Sequence, residues 1–82
     1  MDFITLFQEQ VRGNKMKWYE VWSDESFDEP YLLVLGKTVR GEIVVIDPKE
    51  HNKVVFRSND YDEAKLWLLE DEYTLVDGRM TD

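Results

Sequence analysis

Two runs of consecutive apolar residues constrain the fold of this chain more than any other feature. They cover residues 31–35 and 43–46, and turn-forming residues separate them from their surroundings. A strand with one face in water alternates apolar and polar residues, whereas an unbroken apolar run is typical of a strand covered on both faces. The sequence therefore predicts a sheet with other parts of the molecule packed on both sides.

Periodicity predicts the other elements. Strands are expected over residues 15–22, 31–37, 42–47, 54–57 and 73–77. Residues 2–12 carry apolar side chains at helical spacing, and residues 60–71 begin with Asp60 and Glu63 at capping-box spacing. The fold class is then α+β: a mainly antiparallel sheet of about five strands, with an N-terminal helix and a helix before the last strand, in the order α-β-β-β-β-α-β. A right-handed crossover through the second helix predicts a last strand parallel to its neighbour, and residues 78–82 are expected to fray.

Composition restricts the class of protein. The 82 residues include no Cys, which excludes disulfides, thiolate metal sites and cysteine nucleophiles. No repeat or linker divides the chain, so a single domain over residues 1–82 is expected. The first residues lack the pattern of a secretory signal, and no apolar run approaches the ~20 residues of a membrane-spanning helix. We therefore expect a cytoplasmic protein without membrane contact.

Three segments carry a resemblance to known sequences. They read WYEVWSDE at residues 18–25, DPKE at residues 47–50 and LWLLEDEY at residues 66–73. In these stretches the chain resembles small acidic proteins of unknown function from cyanobacteria. The resemblance covers roughly residues 17–80. It implies a bacterial cytoplasm and carries no activity, cofactor or site.

Two features are candidates for chemistry. The loop from Asp24 to Glu29 gathers carboxylates that suit hard cations, but it lacks the glycine and the spacing of an EF-hand. His51, the only histidine, lies in a charged turn where a solvated side chain is typical. We therefore expect no catalytic residue, cofactor or metal site. A small metal-binding or hydrolytic enzyme domain stays open as an alternative, as does cation binding by the acidic loop.

Charge is distributed unevenly along the chain. The net charge is -8, which disfavours nucleic acid as a partner. The central hairpins nevertheless contribute a set of basic residues: Lys37, Arg40, Lys49, Lys53 and Arg57. RNA binding through these hairpins is a second alternative.

The predicted second helix has more apolar surface than one sheet face can cover. Leu66 and Leu69 point away from the stripe formed by Ala64 and Leu68, so at least one of them is expected to contact a partner or the N-terminal helix. Aromatic anchors rimmed by charge are favoured in protein interfaces, although the same side chains suit a core equally well. The function predicted is a non-enzymatic protein-interaction module that binds a protein partner or a second copy of itself. Its predicted contact residues are Trp18, Trp22, Leu66, Trp67, Leu69, Glu70, Asp71 and Glu72.

Overall fold

A computed structural model describes residues 16–26, 28–76 and 78–81. These residues form a six-stranded antiparallel sheet and one α-helix. The strands are β1 (Met16–Asp24), β2 (Tyr31–Thr38), β3 (Ile43–Asp47), β4 (Lys53–Ser58), β5 (Thr74–Leu75) and β6 (Met80–Thr81), and the helix is α1 (Tyr61–Glu70). Within the described ranges, no helix combines the length and the hydropathy that crossing a lipid bilayer requires.

The first four strands form a meander. The spatial order is β4-β3-β2-β1-β5, and β6 also pairs with β1. Short turns join the meander strands, and a 3₁₀ turn at Pro48–Glu50 begins where the Asp47 carboxylate accepts a hydrogen bond from the Lys49 amide at 3.0 Å. The strands β5 and β6 pair with the edge of β1 that faces away from β2. The longest strand, β1, therefore has partners on both edges near each of its two ends.

The two faces of the sheet carry separate apolar clusters, as the unbroken apolar runs of β2 and β3 predict. On the first face, the helix face, Leu35 and Val45 pack with Ala64 and Leu68 of α1, and all four are fully buried. On the second face the cluster consists of Met16, Tyr19, Val34, Val44 and Ile46, with Val54 and Met80 packed beside it. The two central strands, β2 and β3, therefore contribute alternate residues to two cores.

The helix α1 has well-defined ends. At its start, the Asp60 carboxylate accepts a hydrogen bond from the Asp62 amide at 2.9 Å, which is a standard N-cap. At its end, the Tyr73 amide donates to the Leu68 carbonyl and the Glu72 amide donates to the Leu69 carbonyl. This pattern is a Schellman motif, in which the residue after the cap takes a left-handed conformation. Glu72 occupies that position with φ 64°.

The predicted order α-β-β-β-β-α-β is wrong. Two short strands follow the helix instead of one, and both pair antiparallel with β1, so the expected parallel last strand is not formed. The physical reason is the tight turn at the helix end, which reverses the chain directly onto the open edge of β1. The predicted N-terminal helix over residues 2–12 lies outside the described residues, and no N-terminal helix is present in the described ranges. Residues 80–81, expected to fray, instead form β6.

Candidate functional site

The outer side of α1 exposes two leucines. Leu66 is 56% exposed and Leu69 is 47% exposed, and they lie three residues apart on the same side of the helix. Ala64 and Leu68, on the inner side, are fully buried. The prediction that Leu66 and Leu69 turn away from the apolar stripe is therefore confirmed. We call the outer side of α1, with Leu66 and Leu69 at its centre, the helix surface.

A shallow groove runs along one flank of the helix surface. Its volume is about 180 Å³, and its lining consists of Phe56, Glu63, Leu66, Trp67 and Glu70. The rings of Phe56 and Trp67 stack with their centroids 4.9 Å apart and an interplanar angle of 26°. This stacked pair gives the groove a rigid apolar wall, and two carboxylates lie at its rim.

The end of α1 concentrates negative charge. Glu70, Asp71 and Glu72 are all exposed, and the last turn of the helix contains no basic residue. The C-terminal end of a helix carries a partial negative charge from its free carbonyls, so acidic side chains there are unfavourable. The carboxylates and the helix dipole together produce a negative field beside the exposed leucines.

The three tryptophans do not share one surface. Trp22 is 2% exposed and belongs to the core of the helix face. Trp18 is partly buried, and the guanidinium of Arg79 covers its ring at 3.7 Å from the centroid. Trp67 alone lies beside the exposed leucines. Of the predicted contact residues, the structure brings together Leu66, Trp67, Leu69, Glu70, Asp71 and Glu72. It places Trp18 against Tyr61 at the start of the helix and Trp22 in the core of the helix face.

A buried carboxylate that the sequence did not single out lies beside these tryptophans. Glu20 is 3% exposed, and its oxygens accept hydrogen bonds from the Tyr61 hydroxyl at 3.0 and 3.1 Å and from the Trp22 indole at 3.2 Å. The Arg79 guanidinium completes the set with an ion pair at 3.3 Å. Burial, and next the hydrogen bond to Glu20, raise the pKa of Tyr61. The sequence feature that could have indicated this cluster is the position of Glu20 between Trp18 and Trp22 on one side of a strand.

A second carboxylate–tyrosine pair lies at the opposite end of the helix face. The Tyr31 hydroxyl donates to the Asp47 carboxylate at 2.7 Å, and the Lys49 ammonium lies 4.9 Å from the centroid of the Tyr31 ring. The hydrogen bond to Asp47, reinforced by desolvation, raises the pKa of Tyr31 to about 12. Tyr31 and Asp47 lie on the neighbouring strands β2 and β3, and Lys49 lies in the 3₁₀ turn that follows β3. The pair is therefore formed by residues that are neighbours in the sheet.

The candidates for metal or acid–base chemistry stay apart. In residues 16–26, 28–76 and 78–81, no three carboxylate or histidine side chains are grouped to hold a metal ion. Asp24 uses one oxygen to accept from the Ser26 hydroxyl at 2.6 Å and from the Ser26 amide at 2.9 Å, and these bonds lower its pKa. His51 is exposed in the turn that follows the 3₁₀ helix.

The basic residues of the central hairpins are also separated. Arg40 lies in the turn between β2 and β3, whereas Lys49 and Lys53 lie around the turn between β3 and β4. Because consecutive turns of a meander lie at opposite ends of the sheet, the five-residue strand β3 holds them roughly 15 Å apart. Arg57 is paired with Glu42 at 3.0 Å. Arg40 therefore lies at the opposite end of β3 from Lys49 and Lys53, and the charge of Arg57 is paired within the sheet.

Comparisons with protein families, with characterised proteins and with solved structures gave no match to this chain.

Proposed function

We propose that the chain is a non-enzymatic protein-interaction module that docks a basic protein segment on the helix surface. The observation that carries this proposal is the exposure of Leu66 and Leu69 beside a row of carboxylates. A segment that fits this surface is amphipathic: its apolar side chains would contact the two leucines, and its Lys or Arg side chains would pair with the carboxylates.

The core beneath α1 does not include the exposed leucines. The inner side of α1 is already filled by Ala64 and Leu68, with Tyr61 and Trp67 packed beside them. Contact with a partner would remove the exposed part of each leucine from water, which contributes on the order of 1 kcal/mol per side chain. The groove beside Leu66, walled by stacked aromatic rings, provides a recess for an apolar anchor.

Charge complementarity selects a basic partner. The helix itself contains three acids and one base, and Asp71 and Glu72 extend the negative row past its end. Complementary charge of this kind accelerates association and favours partners of opposite sign. Glu72 adds a further argument, because a left-handed residue at this position is usually glycine. A carboxylate is present where glycine would give the more stable helix end.

The same charges oppose the alternative of a second copy. An isologous contact between two helix surfaces would bring the acids of one copy close to those of the other. With a net charge of -8, the two chains also repel each other at longer range. A distinct basic protein therefore fits the helix surface better than self-association.

Calorimetric titration with an idealised amphipathic peptide of leucine and lysine tests the proposal. We expect saturable binding to the wild-type protein and binding at least about tenfold weaker to the double variant Leu66→Ser with Leu69→Ser, the loss of about 1.4 kcal/mol. The matched control is Val39→Ser, which removes an apolar side chain of similar exposure, 49%, from the turn between β2 and β3, outside the helix surface, and should bind like wild type. Equal binding by both variants would refute the helix surface as the docking site.

Light scattering on the free protein should show a monomer, and a dimer lost in the double variant would favour self-association instead.

A further inference from the structure

We propose a second binding site, specific for a guanidinium group, formed by Trp18, Glu20 and Tyr61 and occupied in this structure by the chain's own Arg79. We call it the guanidinium site. The inference does not rest on the helix surface.

The floor of the site is a carboxylate that needs a cation. Glu20 has only 4% of its side chain exposed, and a buried charge is stable only when it is paired and hydrogen-bonded. Neutral donors from Trp22 and Tyr61 satisfy part of its hydrogen-bonding capacity. The compensating positive charge comes from Arg79.

The walls of the site are two aromatic rings set nearly at right angles. Trp18 and Tyr61 meet edge to face, with centroids 5.6 Å apart and an interplanar angle of 72°. The Arg79 guanidinium lies 3.7 Å from the centroid of the Trp18 ring and 5.1 Å from that of Tyr61. A planar cation between an aromatic face and a carboxylate is the arrangement that arginine satisfies and lysine does not, because a guanidinium stacks and donates in its own plane.

The residues that form the site lie on elements other than the segment that carries Arg79. Trp18, Glu20 and Trp22 are fixed by β1, the most extensively paired strand, and Tyr61 is fixed in the first turn of α1. The contacts of Tyr61 with Trp18 and with Glu20 do not involve Arg79. A ligand with a guanidinium group would therefore meet a preorganised pocket.

The occupant comes from the short tail of the described chain. Arg79 is separated from Glu20 by 59 positions, and its side chain is 44% exposed. The following strand, β6, is two residues long and pairs Thr81 with Trp18 and Met80 with Tyr19. A two-residue strand with one half-buried and one exposed residue makes few buried contacts, and such elements open at lower free energy than the core. Release of Arg79 would leave Glu20 uncompensated and the Trp18 face uncovered, so an arginine side chain of another polypeptide can compete for the site.

Titration of the Arg79→Ala variant with ethylguanidinium chloride, a mimic of the arginine side chain, tests the inference. Tryptophan fluorescence should change saturably as the cation covers Trp18, and the melting temperature should rise. Ethylammonium at the same concentrations should bind about tenfold more weakly, and wild-type protein should also respond about tenfold more weakly because Arg79 competes from within the chain.

The double variant Glu20→Gln with Arg79→Ala is the control and should lose the saturable response. If Arg79→Ala does not fold, the same titration on Arg79→Lys gives the answer, because lysine keeps the charge but not the planar contact. No saturable response in the folded variant would overturn the inference. So would equal responses to both cations, or a response unaffected by Glu20→Gln.

Discussion

The inner and outer sides of α1 place the same residue type in opposite environments. Leu68 is fully buried between the helix and the sheet, whereas Leu66, two positions earlier, is 56% exposed. The inner side of α1 is apolar because it covers one face of the sheet. A few buried residues, Leu68 among them, are enough to do this. Leu66 and Leu69 on the outer side are not part of this cover, and in our proposal they and the row of acids serve binding.

The largest expected effect sharpens this contrast. Leu68→Ala should lower the free energy of unfolding by about 2–5 kcal/mol, because it opens a cavity at a fully buried position. Leu66→Ala, the same substitution on the same helix, should change it by less than about 0.5 kcal/mol. Urea denaturation of the two variants measures both values. A large loss for Leu66→Ala would mean that the outer side does contribute to folding.

The next effect concerns the polar rim of the inner side. Tyr61→Phe keeps the ring but removes the hydroxyl that donates to buried Glu20. We expect a loss of about 1–3 kcal/mol, since a buried carboxylate loses a donor that water does not replace. Urea denaturation again provides the measurement. A change near zero would show that Arg79 and Trp22 alone satisfy the carboxylate.

Two glycine substitutions, with smaller effects of opposite sign on the free energy of unfolding, test the end of the helix. Glu72→Gly should raise the free energy of unfolding by about 1 kcal/mol, because glycine adopts a left-handed conformation without strain and removes a charge from the negative helix end. Glu63→Gly, within the helix, should lower it by about 1 kcal/mol. If Glu72→Gly destabilises the protein, the carboxylate at residue 72 serves the fold and not a surface role.

The last expected effect is a change of stability that is seen only at alkaline pH, and it comes from Tyr31, at the far end of the helix face. Its pKa of about 12 in the folded protein exceeds the ordinary value of 10.0, so the folded state holds the proton more tightly. The resulting contribution to stability is complete below pH 10 and is lost as the pH rises toward 12. Urea midpoints across this range should fall more steeply for wild type than for Tyr31→Phe. Parallel curves would show that the bond to Asp47 does not couple to stability.

The sequence predicts the central part of the fold for a clear physical reason. Unbroken apolar runs require two covered faces, and the capping-box spacing of Asp60 and Glu63 marks the start of α1 within one residue, with Asp60 as the N-cap. β5 lies within the strand predicted over residues 73–77, but its antiparallel pairing with β1 and the presence of β6 escape prediction, because two residues are too few for any periodicity. Their placement depends on the Schellman turn and on the open edge of β1, which are tertiary features.

The two candidate sites differ in the same way, because one can be predicted from the sequence and the other cannot. Helical spacing alone separates Leu66 and Leu69 from the buried stripe, so the helix surface is readable from the sequence. The guanidinium site is not, because it depends on Arg79 reaching Glu20 across 59 positions. Alternation places Trp18 and Trp22 on one side of a strand, but only the three-dimensional arrangement shows that one is core and the other is covered by a cation.

The central claim is that the inner side of α1 serves folding and the outer side serves binding. Amide chemical shifts of the isotope-labelled protein, followed during titration with the leucine–lysine peptide, test it most directly. The account predicts that the largest shifts fall on Leu66, Leu69 and Glu70 through Glu72, with Phe56 across the groove, and that they vanish in the Leu66→Ser, Leu69→Ser variant while the protein stays folded. Shifts spread evenly over all acidic residues, or centred on the hairpin turns, would contradict it.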